Sequence, residues 1–369
     1  MALDKETQKL DREILEFMDR QAGTDERAFG QRALKIFDYQ FRRNMNYRNF
    51  CLSENKKPGR LNSWKDIPAM PTDAFKELVL ATFPLKDAVK VFKTSGTTRG
   101  ASATGMSADV PLRGAHFFDT LKLYETAILP PFREYLMPDE GDFFFCFLVN
   151  SPEESPDSSL SYMMGVVNRV FAKKRGKFYA KAGKISHRAF LSDLRKSKKK
   201  IFILATAFSL KSFLDFLGQK KVFLKLPKGS RLMETGGFKG RVNEVPKHKL
   251  YAECEKRLGI PKDHCVSEYG MTELSSQFYD TTLNDKIKNI RRKPFKAGPA
   301  WLRALVIDPR TGKEAAKGQP GLLRHFDLAN RGSVLAIQTE DLGRQVGTGF
   351  EFLGRASGAE LRGCSLHYE

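Results

Sequence analysis

No stretch of this 369-residue chain is apolar enough to cross a bilayer. Its longest wholly apolar run, Phe143 to Val149, spans seven residues, where a membrane helix needs roughly 20. The opening text, MALDKETQKLDREILEF, mixes both charge signs around no apolar core, which excludes a secretory signal or transit peptide. Cysteine is scarce. Five cysteines in a chain of this length form no disulfide framework, and the reducing cytosol is the expected compartment. His248, Cys254, His264 and Cys265 lack the C-x-x-C or H-x-x-x-H spacing of a zinc site. The six histidines show no triad partnership, no G-x-S-x-G elbow occurs, and the P-loop pattern G-x-x-x-x-G-K-[ST] is missing. Zinc enzymes, serine hydrolases and P-loop NTPases are set aside on these grounds.

What the chain has in excess is positive charge: 63 Lys and Arg against 43 Asp and Glu, a formal net charge of +20. Such a surplus favours anionic partners. The segment Lys173 to Lys200 holds 12 of these cations against a single acid, Asp193. A solvated helix face is the ordinary expectation for such a run; a docking patch for an acidic acyl carrier or an anionic membrane face is the alternative. No aromatic-interleaved basic motif accompanies it, so nucleic acid is not an expected partner.

Coarse periodicity predicts an α/β protein. Leu10, Ile14 and Phe17 place a helix near the start, and prolines 58, 68, 71 and 84 mark a loop-rich stretch. Val91 to Lys93 reads as a short strand, and Leu112, Ala115, Phe118, Leu121, Tyr124 and Ile128 as a helix after it. FFFCFLV (143–149) and IFILATAF (201–208) have the continuous apolar character of parallel strands covered on both faces. A helix over Lys247 to Leu258 stops at Gly259 and Pro261. From Trp301 onward the texture is that of strands joined by turns. The expected division is an α/β region over 1–300, a β-rich part over 301–353 and a short tail over 354–369.

Three motifs carry chemistry. Thr94-Ser95-Gly96-Thr97-Thr98-Arg99-Gly100 offers hydroxyls, backbone N–H groups and glycines that allow close approach to a phosphate. Ser267-Glu268-Tyr269-Gly270-Met271-Thr272-Glu273 sets an aromatic, a hydroxyl and a carboxylate within five residues, suited to a base, a phosphate and Mg²⁺ respectively. Asp341, in Thr339-Glu340-Asp341-Leu342-Gly343, is an acid suited to ribose hydroxyls. Read singly, each is equally an ordinary loop, surface turn or turn cap.

Their order is more specific. TSGTTRG, then ETGG (234–237), EYGMTE, TEDLG and finally Gly354-Arg355 resemble the motif series of the adenylate-forming superfamily of acyl- and aryl-CoA ligases, luciferases and adenylation domains. Within it, the whole chain is most similar to the acyl-protein synthetases of the bacterial bioluminescence fatty acid reductase complex, including an RGCSL-like tail at Arg362 to Leu366. The resemblance implies the layered α/β large domain with a smaller β subdomain, without the full mobile C-terminal domain. It implies ATP and Mg²⁺ as cofactors. Thr94, Ser95, Gly96, Thr97 and Thr98 would meet the phosphates, and Gly236 and Gly237 would line the adenine pocket. Tyr269 would stack on adenine, Thr272 would touch the α-phosphate, Glu273 would help hold Mg²⁺, Asp341 would bind ribose and Arg355 would lie nearby. The chain departs from the superfamily in having Arg99-Gly100-Ala101-Ser102 where most members have Gly-x-Pro-Lys.

The same resemblance implies that Cys364 accepts the activated acyl group as a thioester and hands it to an acyl reductase partner. Arg362 and His367 are neighbours that favour a thiolate. Two other functions remain open on the sequence: a CoA ligase of the phenylacetate-activating type, with Cys364 incidental, and a non-catalytic acyl- or nucleotide-binding protein.

Overall fold

The computed structural model describes residues 3–19, 25–94, 113–139, 141–236 and 245–356. Its contacts divide the chain into two compact units: residues 1–127, 271–276 and 298–369, and residues 128–270 and 277–297.

The second unit is built on a mixed sheet whose central members are parallel. Phe143–Asn150 lies between Lys177–Lys181 and Lys200–Thr206, followed by Arg231–Thr235 and Cys265–Tyr269, all parallel. Phe278–Asp280 and Lys296–Ala297 then extend the sheet antiparallel. The all-apolar text of the central strands follows from coverage of both faces. Cys146, Leu148, Ile201, Ile203 and Ala205 face Phe190, Leu210, Phe213 and Leu214 of the helices His187–Lys196 and Ala207–Gln219. The alternate residues Phe143, Phe145 and Phe202 form an aromatic layer with Phe132, centroids 5.1 to 5.8 Å apart at Phe202. The expected second strand is shorter than its apolar text. It ends at Thr206, whose hydroxyl accepts the Ser209 N–H and caps the next helix. The Lys247–Leu258 helix ends as anticipated at Gly259, with φ of +68°.

The first unit opens with helices Lys5–Asp19, Glu26–Arg43 and Met45–Ser53. An antiparallel meander follows later in the chain: Leu302–Ile307, Pro320–Asp327, Ala336–Val346 and Gly349–Arg355. The short strand Met70–Pro71 pairs parallel with the third of these. Arg331, 1% exposed, pairs with Asp11 of the first helix and with Asp119, which directly follows residues 115–118, at 2.7 Å each.

Two expectations need correction. The helix read over Leu112 to Ile128 starts only at Lys122, and Ala115–Phe118 is a strand paired with Lys90–Lys93. The four apolar residues before Lys122 that fit helical spacing, Leu112, Ala115, Phe118 and Leu121, did so by coincidence, while burial of His116 and Phe118 alternates as in a strand. The basic tract is also not one helix face. It comprises a turn, the strand Lys177–Lys181, the two-residue strand Lys184–Ile185 and the helix His187–Lys196. Among the described residues, no helix is long and apolar enough to cross a membrane.

Candidate functional site

The two-stranded hairpin in the first unit brackets the Gly/Thr-rich motif. Lys93 and Ala115 face each other in register, so residues 94 and 114 close its mouth. Thr94 N–H donates to the Gly114 carbonyl and Gly114 N–H donates to Thr94 Oγ1, both at 2.8 Å. Arg113 Nε adds a bond of 2.6 Å to the Thr94 carbonyl. Ser95, Gly96, Thr97, Thr98 and Arg99 lie outside the described residues, as do Gly237 and Cys364.

The returning strand carries His116, buried between the rings of Phe75 and Phe118. Its Nδ1 lies 2.9 Å from the Thr272 carbonyl oxygen. A carbonyl only accepts, so Nδ1 carries the proton. Burial holds the imidazole neutral, with its pKa lowered to about 4.

The backbone after Thr272 is held by two further buried residues. Asn330 Nδ2 donates to the Glu273 carbonyl at 2.8 Å, and Asn330 Oδ1 accepts the Ser275 N–H at 2.9 Å. Asp327 Oδ2 accepts the N–H groups of Ser275 and Ser276 at 3.0 and 2.8 Å, while its Oδ1 accepts the Ser276 hydroxyl at 2.8 Å. The Ala329 N–H also donates to Oδ1 at 3.0 Å, making the same carboxylate the cap of the turn that carries Asn330. Burial raises the Asp327 pKa to about 6 against the pull of these donors.

Glu273 is 9% exposed, and burial lifts its carboxyl to about 7; Lys76 and Arg355 pull it down and Asp73 pushes it up. Its carboxylate has no ion pair among the described residues. Nor do three His, Cys, Asp or Glu side chains converge on a metal position among them. Asp341 sits inside the long strand Ala336–Val346, directly opposite Arg355. Arg355 is largely exposed and pairs with Glu340 at 3.0 Å. Hairpin base, Thr272, Glu273, Asp341 and Arg355 all belong to the first unit.

Gly236 and Tyr269 belong to the second unit, each at the carboxyl end of a parallel strand, where open α/β sheets bind ligands. Gly236 has φ of +70°, a backbone state that favours glycine. Tyr269 is 8% exposed and meets Phe278 edge-on at 6.1 Å. Beside these positions lies a polar cluster whose carboxylates, Glu234 and Glu268, are buried. Thr235 Oγ1 donates to Glu268 Oε2, Tyr251 OH donates to Glu234 Oε1 at 3.0 Å, and Lys247 Nζ lies 3.3 Å from the same oxygen. Burial raises the Glu268 carboxyl to about 7.

A sequence profile of the acyl-protein synthetase family LuxE matches residues 161–369, more than half of the chain. The chain belongs to this family. It is accordingly a ligase. The long-chain-fatty-acid–luciferin-component ligase of Aliivibrio fischeri is 22% identical over 355 residues, covering 90% of this chain and 85% of that protein. The Vibrio harveyi ligase of the same name is 22% identical over 351 residues, covering 89% and 84%. Among solved structures, an open conformation of 2-hydroxyisobutyryl-CoA ligase in complex with 2-HIB-AMP and CoA superposes with a TM-score of 0.65 at 15% identity, over 89% of this chain and 69% of that one. The fold is thus that of the adenylate-forming CoA ligases, as the motif order implies.

His116, Asp327 and Asn330 were not among the residues singled out from the sequence. The only local signal is polarity where apolar text is expected: Asp327 closes the run GLLRHF, and His116 interrupts an otherwise apolar strand.

Proposed function

We propose that this LuxE-family ligase activates a fatty or other carboxylic acid with ATP and passes the acyl group to its own Cys364. The acid's carboxylate oxygen attacks the α-phosphorus, pyrophosphate departs, and acyl-AMP forms. The Cys364 thiolate then attacks the acyl carbon and AMP leaves, giving a thioester for delivery to an acyl reductase. The observation that carries the first step is the clamp on Thr272 and Glu273: three buried residues fix four of the five positions 272–276, and His116 joins this loop to the hairpin whose first strand leads in sequence into the phosphate motif. Such preorganisation is what attack at the charged α-phosphate, with transfer of the adenylyl group, requires.

Glu273 suits Mg²⁺. A desolvated carboxylate with no ion pair among the described residues is a site that a cation would complete, and one protein carboxylate plus substrate phosphates is a usual Mg²⁺ environment. When bound, the ion would neutralise charge developing on pyrophosphate. Thr272 would meet the α-phosphate, Asp341 the ribose hydroxyls, and Tyr269 and Gly236 the adenine.

The other cysteines support Cys364 as acceptor. Cys51, Cys146, Cys254 and Cys265 are each at most 1% exposed. Burial pushes the thiols of Cys51 and Cys146 up, Cys51 to about 12; Cys265 is also raised, chiefly through its contact with Cys254. Such thiols are poor nucleophiles.

The test is uptake of labelled fatty acid with ATP. Wild type should carry a label released by neutral hydroxylamine, and Cys364→Ser should not. Retained label in Cys364→Ser would assign another acceptor. Acyl-CoA formation by unlabelled wild type supplied with CoA would favour a CoA ligase.

A further inference from the structure

The sheet of the second unit contains an ion pair that the proposed chemistry does not use. Asp280 and Lys296 face each other across the antiparallel strands Phe278–Asp280 and Lys296–Ala297. Lys296 is 3% exposed, and its Nζ lies 3.1 Å from Asp280 Oδ1. Burial lowers its pKa to about 8 against the pull of Asp280.

Both groups reach into the neighbouring strand at one residue. Lys296 Nζ donates to the Ser267 carbonyl at 2.6 Å, and Ser267 N–H donates to Asp280 Oδ2 at 3.1 Å. The ladder between Cys265–Tyr269 and Phe278–Asp280 pairs Tyr269 with Phe278 and Glu268 with Tyr279. One step further along, at Ser267, the charged pair takes both main-chain groups. A three-membered ring of Ser267, Asp280 and Lys296 thereby fixes the strand two residues before Tyr269.

The next residue, Glu268, is fixed as well. Glu268 is held by Thr235, and its Oε1 fills the space beside Gly270: a Cβ there would stand 2.3 Å from that oxygen. Ser267 and Glu268 are thus held immediately before Tyr269, and Glu268 Oε1 occupies the space beside Gly270 after it.

An apolar pair of similar volume is often as stable in such a place as a buried ion pair. What apolar side chains cannot do is bond the Ser267 N–H and carbonyl. We propose that Lys296 and Asp280 are positioning residues that hold Tyr269 in the orientation from which its ring receives adenine. This inference rests on the adenylation function proposed above, and the pair itself touches no substrate.

The test uses the full-length enzyme in acid-dependent exchange between pyrophosphate and ATP. Lys296→Met alone strands the Asp280 charge and can unfold the protein, so the decisive variant is Lys296→Met/Asp280→Leu, with Lys296→Arg as the conservative control. The double variant should melt below the wild type, because the Ser267 N–H and carbonyl lose their partners, yet remain folded at the assay temperature, where its KM for ATP rises about tenfold, equivalent to ~1.4 kcal/mol. Its KM for the acid should change less than twofold, and Lys296→Arg should recover part of the ATP affinity. Calorimetric titration with ATP should show the same loss. An ATP KM and dissociation constant within twofold of wild type in the double variant would overturn the inference, as would equal rises in both KM values. Absence of exchange in the wild type would instead refute the adenylation function itself.

Discussion

His116 Nδ1 donates to the Thr272 carbonyl across 2.9 Å, joining the hairpin of the phosphate motif to the loop of the proposed catalytic pair. His116→Phe keeps an aromatic ring among Phe75 and Phe118 but deletes this bond. The expected cost in stability is about 1 kcal/mol, with a larger fall in exchange activity because Thr272 loses its anchor. The pH dependence has a defined sign. The folded pKa of about 4 lies below the ordinary 6.5, so the neutral ring's stability is complete above pH 6.5 and lost as pH falls towards 4. Over that window the loss is on the order of 3 kcal/mol, and the Phe variant should lack this share in urea titrations at pH 7 and pH 4.5.

Asp327 accepts four hydrogen bonds with its two oxygens while completely buried. Asp327→Ala orphans the N–H groups of Ser276 and Ala329, at about 1–3 kcal/mol each when fully desolvated, while Ser275 keeps its bond to Asn330. Thermal unfolding should show a large loss, and any folded fraction should have little exchange activity. Asp327→Asn keeps acceptor capacity on one side and should fall between.

Glu273→Gln should separate stability from activity. The folded pKa of about 7 lies above the ordinary 4.5, so ionisation of Glu273 opposes folding as pH rises from 4.5 through 7. At pH 8 the Gln variant should melt at or above the wild-type temperature in the absence of Mg²⁺. Its exchange activity should nonetheless be depressed at every Mg²⁺ concentration. A variant with wild-type exchange would remove Glu273 from the metal role.

Gly270 is closed to larger residues by Glu268 rather than by its own backbone angles, since a Cβ would collide with a carboxylate oxygen. Gly270→Ala should therefore weaken ATP binding, measured by calorimetry, by more than tenfold. Glu268→Ala added to it should restore part of that loss by vacating the space. Simple additivity of the two losses would show that the contact does not limit the site.

These contacts explain what the sequence made legible. The strands at Phe143 and Ile201 were readable because both faces are covered, so every residue must be apolar. The motifs at Thr272, Glu273 and Asp341 were readable as ordered text. The hairpin strand at Ala115 was not, because four residues are too few to separate a period of two from one of 3.6. Nor was the clamp: Asn330 meets Glu273 from 57 positions away, and His116 meets Thr272 from 156. The ring of Ser267, Asp280 and Lys296 is equally silent, since its geometry exists only once three strands are side by side.

The proposed reaction begins with activation of a carboxylic acid by ATP. Its most direct measurement is exchange of labelled pyrophosphate into ATP by the full-length enzyme, with Mg²⁺, across a series of fatty acids. Exchange that requires the acid, persists in Cys364→Ser and is depressed in Glu273→Gln is the predicted result, because Cys364 acts only after acyl-AMP has formed. Exchange that proceeds without acid, or is absent with every fatty and aryl acid tried, would contradict it.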